Sequence, residues 1–204
     1  MEYIVPEEVY EVGYEGTAAE HQSSNGATYE INTEIQESLV SLRDALEDGT
    51  LDISSLSASQ LEVYDRFSDL LDPSKTSRER FDLCTYGLGF IGQIPYVWGG
   101  NSLETGVDCS GFVQQISKHF GMDVTSGRST TYSIMRELAT VDINDIKPGD
   151  LVVRGSDNAH VGVYIGNGQV MHFSTSSGSL SNNSKISALS SSSFKNPVIK
   201  RYMD

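Results

Sequence analysis

Apolar residues recur at steps of three and four through residues 29–48: Ile31, Ile35, Leu39, Leu42 and Leu46, followed by Gly49. This spacing predicts an amphipathic helix stopped by a glycine. A second helix is predicted over Ser57–Leu71, with Ser57 and Gln60 as a capping box. Leu61, Tyr64, Phe67, Leu70 and Leu71 form its apolar stripe, and Asp72-Pro73 ends it. A third should span Ser77–Phe90, before Gly92 and Pro95. Asp108 sits where an N-cap belongs for a fourth helix, Cys109–Phe120, with Gly121 as its left-handed stop. A short helix is expected around Tyr132–Leu138, and Lys147-Pro148-Gly149-Asp150 reads as a turn. The pattern then changes to alternation, with strands over Leu151–Arg154, His160–Ile165, Gln169–Ser174 and Val198–Tyr202. The serine-rich stretch Ser174–Ser193 reads as a long surface loop. Residues 1–16 read as extended and 17–28 as a loop.

Residues 160–173 predict a β-hairpin, and its register decides which side chains meet. A two-residue Asn167-Gly168 turn would pair Val163 with His172 and put the two histidines on opposite faces. A three-residue loop, Gly166-Asn167-Gly168, pairs residue 165 with 169 and 162 with 172. Val161, Val163, Ile165, Met171 and Phe173 then share one face, and His160, Gly162, Tyr164, Val170 and His172 the other. A one-residue slip moves every side chain to the opposite face, so the clean sorting of hydrophobes favours the second register. There His172 is diagonal to His160, roughly 7–8 Å away at Cα, and faces Gly162, which leaves the imidazoles room to touch.

Charge divides the chain. Residues 1–75 hold 17 acidic and 3 basic side chains, whereas residues 76–204 hold 11 of each, so the whole net charge of −14 lies in the first third. We expect two units, an acidic helical appendage over 1–75 and a catalytic domain over 76–204. No basic stripe is present to neutralise phosphates, which argues against a nucleic-acid partner. No apolar run approaches the ~20 residues of a membrane span, and residues 1–20 show no charged-then-apolar leader.

Two cysteines make no disulfide framework. Cys84 reads as a small buried hydrophobe on a helix face; a Cys84–Cys109 bridge is the alternative and would consume the thiol at 109. Cys109 opens a helix, where the N-terminal dipole favours a thiolate, and the glycines around it let a substrate chain approach. A thiol with two convergent imidazoles forms a nucleophile system. His160 would act as base and acid, and His172 would fix its tautomer. Backbone N–H groups near Cys109, with a hydroxyl beside them, would hold an oxyanion. Cys109, His160, His172 and Asp108 could alternatively ligate zinc, but no short paired Cys/His spacing supports this. Neither a cofactor nor a metal is expected.

The motifs Pro95-Tyr96-Val97-Trp98-Gly99-Gly100, Asp108-Cys109-Ser110-Gly111-Phe112, Pro148-Gly149-Asp150-Leu151, His160-Val161-Gly162-Val163-Tyr164-Ile165-Gly166 and Met171-His172, in that order over residues 77–204, resemble the NlpC-type cysteine peptidases of bacterial cell-wall peptides. The resemblance implies an α+β, papain-like fold in which the nucleophile-bearing helix packs on an antiparallel sheet, here with an N-terminal helical appendage. It implies a Cys109–His160–His172 triad, with Tyr96 near the nucleophile and able to assist at the oxyanion. Asp108 and Ser110 match positions that bind a free substrate amine, and Trp98 and Arg128 are further candidate substrate contacts. The implied reaction is hydrolysis of a peptidoglycan or muropeptide amide, usually the γ-D-glutamyl bond to a diamino acid, in an extracellular or wall-associated setting. An amide or ester hydrolase acting outside the wall, and a non-catalytic wall-binding module, are the alternatives. Two departures concern substrate. Many relatives complete the amine pocket with an SH3-like domain, where residues 1–75 here read as helical. A Leu-Pro-Arg-like segment is replaced by Ser126-Gly127-Arg128-Ser129-Thr130, keeping only the arginine.

Overall fold

A computed structural model describes residues 34–174 and 184–204. The expectations for residues 1–28 and for Ile31 lie outside these residues. Helix α1 runs through residues 34–47 and ends at Gly49, whose φ of 67° is the expected left-handed stop. A short 3-10 turn, Ile53–Ser55, precedes α2, Ala58–Arg66, and both halves of the Ser57–Gln60 capping box are formed.

The helix expected over Ser57–Leu71 is broken at Phe67. Its backbone leaves the helical region (φ −117°, ψ 26°) and its ring is fully buried. The chain restarts as α3, Ser68–Leu71, because a partner is available for the new helix start. The N–H of Asp69 donates to Asn167 Oδ1 at 2.9 Å. Arg43, 1 % exposed inside the apolar stripe of α1, donates to the carbonyls of Leu70, Leu71 and Thr76, so it satisfies the other end of that turn. Apolar periodicity could not foresee a buried arginine.

Helix α4, Arg78–Leu88, is capped by Ser77, and α5, Cys109–His119, by Asp108, whose carboxylate accepts from Gly111 N–H at 2.6 Å. Between them lies a two-residue antiparallel pair, β1 (Asn101–Ser102) with β2 (Gly106–Val107). Helix α6, Thr131–Glu137, leads to β3, Ala139–Val141, a strand the alternation did not announce. The main sheet is antiparallel. With β4 (Leu151–Arg154), β5 (Val161–Tyr164), β6 (Gln169–Phe173), β7 (Ser184–Ala188) and β8 (Pro197–Arg201), its order is β3-β8-β4-β5-β6-β7.

The serine-rich stretch is therefore not all loop. Strand β7 completes the sheet against β6, and a 3-10 turn, Ser192–Phe194, crosses its face. Ladder hydrogen bonds hold β7. Its serines carry too little apolar contrast to signal a strand.

Helix α5 packs on β5 and β6. Phe112, Val113 and Ile116 meet Val161, Val163, Met171 and Phe173 in one core that also takes in Leu39, Leu42, Phe67 and Leu70 from α1–α3. The opposite sheet face is covered as well, by a second cluster of Val152, Tyr164, Val170, Phe194 and Ile199. At the turn before β4, Asp150 is fully buried and accepts from Arg80 Nη1 (3.1 Å), Arg201 Nε (2.8 Å) and Lys147 N–H (2.9 Å). Among the described residues, no helix is long and apolar enough to cross a membrane.

Candidate functional site

The β5–β6 hairpin adopts the three-residue register: Val163 pairs with Met171 and Tyr164 with Val170. All three loop residues take positive φ, 89° at Gly166, 50° at Asn167 and 67° at Gly168. His160 and His172 consequently meet, with His160 Nε2 2.8 Å from His172 Nδ1. Gly162 makes this approach possible. A Cβ there would lie 2.6 Å from Val170 Cγ1, 2.8 Å from the Met171 carbonyl oxygen and 3.0 Å from His172 Cβ.

Cys109 comes from the other side of the sheet. It occupies the first position of α5, and the backbone N–H of Val161, the residue after His160, favours its thiolate. The start of β5 is thus where the helix-borne thiol and the histidine face meet. Gly111 lets the α5 terminus press onto the glycine-rich segment; a Cβ there would fall 2.1 Å from the Gly100 carbonyl oxygen.

The helix N-terminus does not lower the thiol pKa as expected. Burial pushes it above the ordinary thiol range, outweighing the N–H groups of Val161, Ser110 and Cys109 that favour the thiolate, and the Asp108 charge adds to the rise. Burial also holds both imidazoles low, to about 4 at His160, where Arg154 and Lys185 contribute, and about 3 at His172, where His160 and Lys185 contribute. The thiol and both imidazoles are accordingly held neutral near pH 7. Both cysteines are free, and Cys84 is fully buried with its thiol pushed up to about 12.

Tyr96 is buried near Cys109 and Asp108, and burial first, then those two groups, raise its phenol to about 12, keeping it a donor. Ser110 Oγ donates to Asp108 Oδ1 at 2.9 Å. Arg128 Nη2 lies 3.1 and 3.0 Å from the two Asp108 oxygens and also reaches the Gly100 carbonyl. The carboxylate expected to face a substrate amine is therefore held by Ser110, Gly111 and Arg128. Trp98 stands 86 % exposed on the segment leading to this cluster.

Two residues of the site escaped the sequence reading. Ser187 Oγ lies 2.9 Å from His172 Nε2. Phe194 covers both imidazoles, its centroid 5.3 Å from that of His160 and 5.0 Å from that of His172. The histidine face is accordingly not open; His160 is 6 % exposed and His172 0 %. Phe194 could have been suspected as the one aromatic ending a run of four serines. As for zinc, no group of three or more His, Cys, Asp or Glu side chains among the described residues is placed to hold a metal ion. The two imidazoles spend a ring nitrogen on each other.

The architecture is α+β and papain-like, with the Cys109 helix packed against an antiparallel sheet. The chain belongs to the NlpC/P60 family, whose profile matches residues 92–202. It is 43% identical over 82 residues, 39% of this chain and 42% of the relative, to the murein DD-endopeptidase MepS/murein LD-carboxypeptidase of Escherichia coli K12. It is 32% identical over 140 residues, 63% of this chain and 42% of the relative, to the gamma-D-glutamyl-L-lysine dipeptidyl-peptidase of Bacillus subtilis 168. Among solved structures, NlpC1 from Trichomonas vaginalis superimposes with a TM-score of 0.52 at 27% identity, covering 62% of this chain and 45% of that one. The matches span less than half the length of these relatives.

Proposed function

We propose that this protein is a cysteine endopeptidase that hydrolyses an amide bond in the stem peptides of bacterial cell-wall peptidoglycan. The observation that carries the reading is a hydrogen-bonded pair of imidazoles on one hairpin, against which packs a helix that begins with a free thiol. Family membership and the murein endopeptidase relative supply the substrate class.

His172 occupies Nε2 of His160, leaving Nδ1 for the thiol. As Cys109 Sγ attacks the carbonyl carbon, its proton passes to His160 Nδ1 and the carbonyl oxygen becomes an oxyanion. The Cys109 N–H and the Tyr96 hydroxyl are its donors. Collapse breaks the C–N bond, and the imidazolium gives its proton to the leaving amine. Water, deprotonated by His160, then attacks the thioester; the C–S bond breaks, releasing a carboxylate and the thiol. Because the resting thiol and imidazoles are neutral, the ion pair forms only as the reaction proceeds.

The bond we assign is γ-D-glutamyl to a diamino acid, supported by the B. subtilis relative's name. Asp108, Ser110 and Arg128 form the polar wall of the pocket. Arg128 already compensates the Asp108 charge, so a free substrate amine has to displace part of that pair. We assign Trp98 to the exposed rim. Residues 1–75 are taken as a supporting unit; in the described part, their contacts run to α4 and to the hairpin tip. The setting is extracellular or wall-associated.

Wild-type and Cys109→Ala protein incubated with purified muropeptides test the assignment, with products resolved by mass. New amino groups from the wild type alone support it, and the fragment masses identify the bond. Absence of new amino groups refutes it, and retention on sacculi without cleavage favours a wall-binding module.

A further inference from the structure

The proposed catalytic roles stop at His172, but the hydrogen-bonded chain does not. We propose that Ser187 is a positioning residue behind the His160–His172 pair, its hydroxyl oxygen supplying the acceptor that the base-competent tautomer of both imidazoles needs. This rests on the peptidase reading only where it speaks of turnover; the tautomers themselves are a property of the protein.

His160 can accept from the thiol at Nδ1 only if its Nε2 carries hydrogen and donates to His172 Nδ1, 2.8 Å away. His172 Nδ1 must then be bare, so its proton sits on Nε2, which faces Ser187 Oγ at 2.9 Å. The Ser187 oxygen accepts there in this tautomer, although the same hydroxyl can donate to a bare Nε2; what its removal penalises is the Nε2–H form. With that acceptor absent, a buried N–H would lose its partner, which costs more than a hydrogen bond gains. The opposite tautomer, with Nε2 bare, would place hydrogen on His172 Nδ1 and on His160 Nδ1. That blocks the base.

The placement is built by the sheet. His172 pairs directly with Lys185, and Ser187 opposite Val170 shares the histidine face through the period of two. Phe194 lies over both rings and leaves His172 fully buried, so water cannot substitute freely for the serine. The charged and titratable groups acting on the pair are Arg154 of β4, Asp157 of the β4–β5 turn and Lys185 of β7. None of these replaces Ser187 at Nε2.

Imidazole 15N chemical shifts read the tautomers without substrate, and the rate of Cys109 alkylation by iodoacetamide across pH reads thiol activation without turnover. Wild-type protein should show Nε2–H on both His160 and His172. Ser187→Ala should give a tautomer mixture at His172 and roughly threefold to tenfold slower alkylation near pH 7, the size of one hydrogen bond. Ser187→Thr, which keeps the oxygen and suits a strand, should restore both within about twofold. Nδ1–H on His172 in the wild type overturns the proposal whatever the variants do. So do unchanged shifts and alkylation in Ser187→Ala, or Thr behaving like Ala in a protein with a wild-type unfolding midpoint. If the tautomers and alkylation behave as stated but muropeptides are not cleaved, the role of Ser187 stands and the peptidase reading falls.

Discussion

Gly162→Ala tests whether the histidine pair is set by the hairpin's geometry. The added Cβ would lie 2.6 Å from Val170 Cγ1, 2.8 Å from the Met171 carbonyl oxygen and 3.0 Å from His172 Cβ. The Val170 methyl can turn aside, but the Met171 oxygen belongs to the partner strand and the His172 Cβ is fixed to its backbone. Relief therefore means parting β5 from β6 by several tenths of an ångström. Two effects oppose each other. Alanine restricts the unfolded chain and suits a strand backbone, a gain of ~0.4–1 kcal/mol. Overpacking a full core costs ~1–3 kcal/mol. Overpacking wins because the contacts are with backbone in a buried sheet, and the net loss should be ~1–2 kcal/mol in urea unfolding. Activity should also fall, by less than the ~10²-fold that a full 1 Å displacement of reacting groups costs. The assays are urea midpoints, muropeptide cleavage and Cys109 alkylation on the same preparations. A variant as stable and as active as wild type would show that Gly162 is not what admits the His160–His172 contact.

Three further outcomes follow from other parts of the molecule. Both imidazoles are held below the unfolded value of ~6.5, at about 4 and about 3, so the unfolded chain binds more protons below that pH. Stability should be complete above pH ~6.5 and fall toward pH 5 by up to ~1.4 kcal/mol per pH unit for each imidazole kept neutral. His172→Asn should flatten that slope, and an unchanged slope would refute the cause. Asp150→Asn removes the charge facing fully buried Arg80 and half-buried Arg201, which should cost ~3–5 kcal/mol in chemical denaturation; a cost under ~1 kcal/mol would mean the site relaxes or hydrates. Asn167 sits at φ 50° while its side chain accepts from Asp69 N–H and donates to Ser68 Oγ. Asn167→Gly keeps the backbone but loses the cap, costing ~1 kcal/mol. Asn167→Ala adds the left-handed penalty of ~1–2 kcal/mol, so equal midpoints for the two variants would contradict that partition.

Local signals carried much of the architecture. Ser57 and Asp108 cap helices as their neighbours foretold, because a cap is a contact between residues two or three apart. The hairpin register was legible because slipping it would set His172 beside Val163, where Met171 belongs. From that register alone came the meeting of His160 and His172. What the chain could not announce depended on partners distant in sequence. The break at Phe67 exists because Asn167, 98 residues from Asp69, supplies an acceptor. Arg43 is buried because carbonyls 27 to 33 residues away converge on it. β7 is a strand because β6 offers an unpaired edge, not because its serines prefer one. The thiol is the sharpest case. The sequence placed Cys109 at a helix N-terminus, which by itself lowers a thiol pKa, while only the packed structure buried it enough to reverse the sign. Periodicity and capping are one-dimensional, and desolvation is not. The sequence therefore named the thiol and the two histidines, while the tertiary structure decided their protonation, roofed them with Phe194 and set Ser187 behind them.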